Sequence, residues 1–145
     1  MSECDDVRLS TPLGWPHDEA ALIDAGLGLS NDAGAPISDV QRLSCFARLP
    51  SGLVIGGAVG RIWGGCCELQ QFWVDPARRR QGIGTRLVRE FERFAADRGC
   101  CTFYLETYSF QAPALYRRLG YETKLEIRGF PGGIAKYTMV RQVNP

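Results

Sequence analysis

Residues 79–85 read Arg79-Arg80-Gln81-Gly82-Ile83-Gly84-Thr85 and separate two segments with different hydrophobic patterns. The segment before them, Cys66–Val74, ends in two aromatic residues and a valine, which favours a strand. The segment after them, Gly82–Arg98, repeats apolar residues at helical spacing and stops before Gly99, a typical helix end. Residues 79–85 are therefore predicted to form the turn that leads from a strand into a long helix.

A turn with this composition is suited to binding an anion. Glycine at positions 82 and 84 lets the backbone approach a ligand, and the first-turn N–H groups of a helix point outward as donors. Arg78, Arg79 and Arg80 add positive charge at the same place, which suits a pyrophosphate. The alternative is a shaped turn with a solvated arginine cluster, because short glycine motifs also occur by chance.

Two other phosphate-binding loops do not match this sequence. A Walker loop requires Lys and then Ser or Thr after its last glycine, whereas Gly84 is followed by Thr85 and Arg86. The dinucleotide fingerprint requires a third glycine where Leu87 stands.

The rest of the chain predicts one α/β domain over residues 1–145, with a mixed, mostly antiparallel sheet flanked by helices. The segments predicted as strands are 7–11, 42–49, 53–63, 66–74, 101–107, 121–128 and 134–142. The predicted helices are 17–29, 82–98 and 111–119. Since a helix joins the strand at 66–74 to the strand at 101–107, these two strands should lie parallel.

Composition excludes several classes of function. The 17 basic and 16 acidic residues give a net charge of +1, which disfavours a nucleic-acid partner or an anionic membrane surface. The acidic N-terminus lacks a signal-peptide pattern and no apolar run has spanning length, so we expect a soluble, cytoplasmic protein. Six cysteines without C-x-x-C spacing favour small buried thiols, and the single His17 argues against a metal site.

Two motifs in this sequence resemble those of the GNAT N-acetyltransferase superfamily. Gln71–Pro76 followed by Arg79-x-x-Gly82-x-Gly84 is similar to the strand and pyrophosphate loop whose signature is Q/R-x-x-G-x-G/A. Leu115–Tyr121 is similar to the second signature, in which a tyrosine precedes a Gly-Tyr pair. The resemblance covers about residues 40–142 and points to the small single-domain bacterial members.

The resemblance implies acetyl-CoA as co-substrate and a splayed V between strands 68–74 and 101–107 that receives it. Backbone groups of Trp73 and Val74 would pair with the pantetheine arm, and the Val74 N–H would bind the oxyanion. Ser109 stands where many members carry an asparagine that contacts the cofactor, so it either replaces or loses that contact. The residues that would hold the pyrophosphate are Arg79, Arg80, Gln81, Gly82, Ile83, Gly84 and Thr85.

The resemblance also gives two candidates for proton transfer. Tyr116 would protonate the departing thiolate, since a phenol keeps its proton at neutral pH; otherwise it is a core residue. Glu68, eleven residues before Arg79, matches the base of some members, with Gln70 as a neighbour that could order a water. An exposed strand end is an equally plausible interpretation of Glu68.

The sequence predicts that the acceptor is an amine of a small molecule or peptide, but it does not identify that molecule. Four aromatic residues are candidates for an acceptor pocket or for simple packing: Trp15, Trp63, Tyr108 and Phe130. Asn31, just past the first predicted helix, is as easily a cap as a substrate contact. A non-catalytic acyl-CoA sensor would share the loop but need neither Tyr116 nor Glu68. The closing strand at 134–142 could pair with a second subunit, which makes a homodimer possible.

Overall fold

The computed structural model describes residues 7–144, so Cys4, the acidic start and the last residue lie outside it. The chain divides into two compact units between Ser38 and Asp39.

The first unit contains the helix α1 (His17–Gly34), which runs further than the predicted 17–29 and includes Gly26 and Gly28. Asn31 lies within α1 rather than beyond its end, and its carbonyl accepts the Ala35 N–H at 2.9 Å. The predicted strand at 7–11 is wrong: these residues are exposed and form no strand. A strand is stable only where a neighbour pairs with its backbone, and a five-residue pattern cannot indicate such a neighbour.

The second unit is a six-stranded sheet with the order β1-β2-β3-β4-β6-β5. The strands are β1 (Gln41–Arg48), β2 (Val54–Trp63), β3 (Cys66–Val74), β4 (Thr102–Tyr108), β5 (Glu122–Ile127) and β6 (Lys136–Gln142). The helices are α2 (Ile83–Ala96), between β3 and β4, and α3 (Pro113–Arg118), between β4 and β5. Neighbouring strands are antiparallel except β3 and β4, which are parallel as predicted.

Helix α2 packs its apolar stripe into the core of this unit. Leu87, Val88, Phe91 and Ala95 are buried because they recur at helical spacing on one face. Three of them, with side chains such as Leu69, Phe103 and Met139 from the sheet, form one hydrophobic cluster, joined by Tyr116 of α3. The helix ends just before Gly99, whose φ of +91° is the left-handed conformation that glycine adopts easily.

A β-bulge sets the shape of β3. The β2–β3 register passes from Val59↔Gln71 to Gly60↔Leu69, so Gln70 is an extra residue on β3. Glycine is required opposite the bulge because a Cβ at Gly60 would lie 1.9 Å from the Glu68 carbonyl oxygen.

Beyond the bulge β3 and β4 separate. Their pairing covers Cys66–Leu69 and Thr102–Leu105, after which β3 follows β2 and β4 follows β6. The predicted V-shaped opening between these two central strands is therefore confirmed.

The closing strand β6 does not offer a free edge. It lies between β4 and β5 and pairs with both, so the prediction that it could join a second subunit is wrong. Both ladders of β6 are occupied because the chain returns to fill the gap between β4 and β5, leaving β1 and β5 as the edges of the sheet.

The cysteines of the described chain are free thiols, in agreement with the absence of C-x-x-C spacing. Cys67 and Cys100 are buried as expected, and burial raises the pKa of the Cys67 thiol to about 12. Cys66 is exposed instead. Between residues 7 and 144 no helix is long and apolar enough to cross a membrane.

Candidate active site

The turn from β3 into α2 has the backbone of an anion-binding loop. Asp75 begins it by accepting the Ala77 N–H at 3.0 Å. Arg80 and Gly82 then adopt left-handed conformations, with φ of +64° and +77°. The Arg86 N–H donates to the Gly82 carbonyl at 3.1 Å as the helix begins, so the N–H groups of residues 83–85 precede the intrahelical ladder. Three consecutive donors thus stand at the positive end of the helix dipole.

A cavity of about 800 Å³ runs from this turn into the opening between β3 and β4. Residues of the turn, both separating strands and α3 surround it. Its lining residues are Leu69–Val74, Arg78–Arg80, Gly82–Thr85, Leu105–Thr107, Phe110–Ala112, Leu115, Tyr116 and Arg118. All the residues predicted to hold pyrophosphate except Gln81 therefore line one cavity, together with Trp73, Val74 and Tyr116.

The backbone of Val74 is directed into this opening. The Asp75 N–H donates to the Ile55 carbonyl at 2.8 Å, which fixes that residue toward β2. Because successive residues of a strand direct their backbone groups to opposite sides, Val74 and Phe72 face the opening, while Trp73 faces Gly57 of β2. The Val74 N–H can therefore donate into the opening, whereas the Trp73 backbone pairs with β2.

The loop is tied to the end of β3 by one arginine. Arg79 Nε donates to the Val74 carbonyl oxygen at 3.1 Å. Arg118, at the end of α3, also lines the cavity and was missed from the sequence. Its spacing of three from Leu115, which lines the same cavity, would have indicated the shared helix face.

Tyr116 lies deep in the cavity wall. Its side chain is buried, and its ring packs edge-on against Phe72 and Tyr121 at centroid distances of 6.1 and 5.9 Å. Burial raises the pKa of the Tyr116 phenol to about 12, because ionisation is disfavoured away from water. The phenol therefore keeps its proton throughout the neutral range and can donate a hydrogen bond.

Glu68 is held by two partners. Its Oε2 accepts hydrogen bonds from Arg61 Nε at 3.0 Å and from the Tyr104 hydroxyl at 3.1 Å. Only 22% of its side chain is exposed, so it is not the solvated strand end considered above. Gln70 lines both cavities but occupies the bulge, so simple alternation does not place it on the Glu68 face.

Ser109 has a partner within the protein. Its Oγ accepts the Ala135 N–H at 3.0 Å, and its own N–H donates to the Ala135 carbonyl at 2.8 Å. It does not line the large cavity. The hydroxyl joins the loop after β4 to the chain entering β6.

A second, smaller cavity of about 370 Å³ adjoins the first. It is lined by Glu68–Gln70, Glu106–Tyr108, Gln111 and Lys136. Glu106, missed from the sequence, lines both cavities and accepts a hydrogen bond from Lys136 Nζ at 2.9 Å. Strand alternation could have found it, since Tyr104, Glu106 and Tyr108 share one face of β4.

Of the aromatic candidates for an acceptor pocket, Tyr108 lines the second cavity and Phe130 packs against its ring. Trp63 ends β2 away from both cavities, and Trp15 belongs to the first unit. Within residues 7–144 no group of three or more His, Cys, Asp or Glu side chains is arranged to hold a metal ion.

Comparisons with known proteins agree with this geometry. The acetyltransferase (GNAT) family profile matches residues 8–121. The blasticidin-S acetyltransferase of Streptomyces morookaense is 31% identical over 112 residues, 74% of this chain and 82% of that protein.

Solved structures share the fold. An acetyltransferase of Bacillus cereus superposes with a TM-score of 0.80 at 22% identity, covering 94% of this chain and 98% of the other. The ribosomal-protein-S18-alanine N-acetyltransferase of Escherichia coli gives a TM-score of 0.64 at 23% identity, over 72% and 70% of the two chains. The family match spans most of the sheet and the whole loop, and so the chain belongs to the GNAT family of acetyltransferases.

Proposed function

We propose that this protein transfers the acetyl group of acetyl-CoA directly to an amine of a small molecule or peptide. The observation that carries the proposal is one continuous cavity, with anion donors at the α2 turn, a backbone donor at Val74 and a phenol at Tyr116. The proposed coenzyme is a cytoplasmic metabolite, so we extend the proposal to a cytoplasmic location.

The residues around the cavity fit a coenzyme with a pyrophosphate and a long arm. The N–H groups of residues 83–85 and the guanidinium groups of Arg78, Arg80 and Arg118 supply donors for the phosphates. Between β3 and β4, Phe72 and Val74 direct backbone groups into a space that neither neighbouring strand fills. Acetyl-CoA would supply an acyl thioester at the inner end of that space.

The Val74 N–H would stabilise the negative charge that develops on the acetyl carbonyl oxygen. A fixed donor aimed at a developing charge is among the strongest contributions to catalysis, worth about 3–4 kcal/mol in measured cases. The Arg79 bond to the Val74 carbonyl holds the adjoining Val74–Asp75 peptide unit in place.

Tyr116 would donate to the leaving thiolate. Its pKa of about 12 lies above the value of about 8.5 for an ordinary thiol. The phenol therefore acts mainly as a hydrogen-bond donor while the C–S bond breaks, and the thiolate gains its proton fully as the product leaves.

Glu68 would accept the proton of the attacking amine, directly or through water. Its Oε2 already accepts two hydrogen bonds, which orient the carboxylate toward the second cavity. Proton removal is required because only the neutral amine attacks.

The names of the relatives support an amine acceptor without identifying it. One similar protein is named for the small molecule blasticidin-S, and a solved structure with the same fold for an alanine of a ribosomal protein. A shared fold does not fix the acceptor, which therefore has to be found by experiment.

The test is coenzyme binding followed by thiol release. Calorimetry should show that the protein binds coenzyme A, and acetyl-CoA should release thiol with at least one member of a panel of polyamines, aminoglycosides, amino acids and peptides. Replacing Gly84 would be ambiguous, because a Cβ there would lie 3.1 Å from the Phe72 ring. Arg80→Asn is better, since asparagine tolerates the left-handed backbone of that position.

Arg80→Asn should weaken coenzyme A binding roughly tenfold, as expected for a charge-assisted contact. Arg98→Asn is the matched control, because Arg98 stacks on Phe94 of α2 and lines neither cavity. Equal affinity in both variants and the wild type would contradict the phosphate site. Tight binding without thiol release from any amine would assign an acyl-CoA sensor instead.

A further inference from the structure

The second cavity lies where an acceptor must enter. It shares Leu69, Gln70, Glu106, Thr107 and Gln111 with the large cavity, so the two meet between the separating strands. A molecule in the second cavity would therefore lie beside the inner end of the proposed coenzyme site. The chemistry of its walls defines what that molecule can be.

One side of the junction is aromatic. The aromatic trio consists of Tyr108, Phe110 and Phe130: Tyr108 stacks on Phe110 with centroids 5.6 Å apart and interplanar angle 9°, and meets Phe130 edge-on at 5.5 Å. Phe110 is 67% exposed although it belongs to this cluster. Tyr108 lines the second cavity and Phe110 the large one, so the trio bridges their mouths. Flat, partly exposed rings at this position can accept a further ring.

The part of the junction next to the trio is polar and carries carboxylates. Glu106 is on the same face of β4 as Tyr108 and two residues away, a spacing of about 7 Å along a strand. Its side chain is 56% exposed, and it shares one hydrogen bond with Lys136, whose Nζ also lies 5.7 Å above the Tyr108 ring. Glu68 stands further along the same cavity. An ammonium group can therefore find a carboxylate within a short linker's reach of the trio.

We propose that the acceptor is a primary amine joined by a short alkyl linker to a planar aromatic or heteroaromatic ring. The ring packs on the aromatic trio, and the amine enters as an ammonium beside Glu106 and Glu68. This inference rests on the proposed acetyl transfer and narrows its acceptor. In the reaction Glu68 takes one proton from the ammonium, and the neutral amine nitrogen then forms a bond to the acetyl carbon. The C–S bond breaks while the Tyr116 hydroxyl donates a hydrogen bond to the sulfur, and the second proton lost by the nitrogen passes through solvent to the thiolate.

The test compares two amines that differ in aromaticity and little else: 2-phenylethylamine and 2-cyclohexylethylamine. Calorimetric titration into the protein saturated with coenzyme A measures binding without requiring turnover. We expect the phenyl amine to bind about three- to tenfold more tightly, the range found for aromatic pairs beyond simple burial. Tyr108→Leu should remove this preference.

Phe94→Leu is the matched control, since Phe94 is an exposed aromatic residue on α2 that lines neither cavity. It should keep the preference. If Tyr108→Leu fails to fold by circular dichroism, Phe110→Leu replaces it, because the exposed Phe110 side chain contributes little to the core. A preference that survives in the folded trio variant, equal binding of the two amines, or no binding of either would overturn the inference.

Failure of this inference is distinguishable from failure of the proposed function. Acetylation of aliphatic amines with no aromatic preference would leave acetyl transfer standing and remove the ring subsite. Aromatic preference in binding, with no thiol release from any amine, would support the subsite and contradict the transfer.

Discussion

The two halves of the β3–β4 pair have opposite roles. In the closed half, Cys66–Leu69 pairs with Thr102–Leu105, and Cys67, Leu69, Phe103 and Leu105 are buried in the core. In the open half the same two strands run apart, and the space between them is a cavity. The same pair of strands thus serves as a core element at one end and as a binding site at the other.

The bulge at Gln70 marks the boundary between these halves. Before it, the strands satisfy each other's backbone groups; after it, Val74 and Phe72 direct theirs into the cavity. Unpaired backbone groups are costly when buried without a partner, so the open half is suited to a ligand that supplies one. The bulge thus coincides with the change from a packed sheet to an open cavity.

The largest expected effect comes from removing the glycine opposite the bulge. Gly60→Ala would place a Cβ 1.9 Å from the Glu68 carbonyl oxygen and 2.8 Å from the Phe91 ring, so the backbone has to shift. We expect a loss of roughly 3 kcal/mol or more in the free energy of unfolding, measured with urea. Gly65→Ala is the control, because the nearest atom to its Cβ would lie 3.9 Å away. Similar stabilities of the two variants would show that the close approach does not constrain the sheet.

The second prediction concerns chemistry in the open half. Tyr116→Phe keeps the ring contacts with Phe72 and Tyr121 and removes only the hydroxyl. Removing one fixed donor to a developing negative charge costs about 10²–10³-fold, so single-turnover acetylation should slow tenfold or more at unchanged acetyl-CoA affinity. The single-turnover form is needed because product release can limit the steady state. Full single-turnover activity would exclude the hydroxyl as a donor to the thiolate.

A smaller effect is expected at Glu68. Glu68→Gln should lower turnover several-fold and abolish or shift the acidic limb of the pH–rate profile, because an amide cannot accept the amine proton. Arg61→Gln is the companion variant: it breaks the 3.0 Å ion pair but keeps the carboxylate, so the acidic limb should remain. A wild-type profile in Glu68→Gln would assign proton removal to water or to Glu106.

The smallest effect is expected just outside the opening, at Ser109. Ser109→Ala removes the acceptor of the Ala135 N–H and should reduce the free energy of unfolding by about 1 kcal/mol. Coenzyme A affinity should not change, because Ser109 does not line the large cavity. Ser51→Ala is the control, because the Ser51 Oγ only accepts the Leu53 N–H at 3.4 Å in an exposed turn. It should leave the free energy of unfolding nearly unchanged. If Ser109→Ala binds coenzyme A more weakly, the result would support a contact between Ser109 and the cofactor.

Local patterns predicted the elements of the closed half well. The β3 bounds were predicted as Cys66–Val74, and α2 differed by one residue at its start and two at its end, because both follow from strong periodicity and glycine stops. The position of β6 was not predictable in this way, since strand order is a long-range property. The strand predicted at 7–11 failed for the same reason: a propensity cannot supply a partner.

The residues that the two motifs singled out, Tyr116 and those of the α2 turn except Gln81, line one cavity, and their roles there stay a prediction. Other lining residues were missed because only the tertiary structure brings them to the cavity. Neither motif gives a role to Arg118 or Glu106. The packing of α3 brings Arg118 to the cavity, and the separation of β4 from β3 brings Glu106 there. Ser109 stands where many family members carry an asparagine that contacts the cofactor. Its hydroxyl instead accepts the Ala135 N–H, and a single sequence cannot reveal that bond.

The link between Arg79 and the Val74 carbonyl has a metabolic consequence for the proposed enzyme. It ties the phosphate loop to the end of β3, and the loop would hold the phosphates, which loaded and spent coenzyme share, so the loop's anchoring contacts are the same for both. Coenzyme A should then compete directly with acetyl-CoA for the cavity. Flux through the protein would follow the ratio of the two in the cell rather than the amount of either, and acetylation would slow whenever acetyl units become scarce.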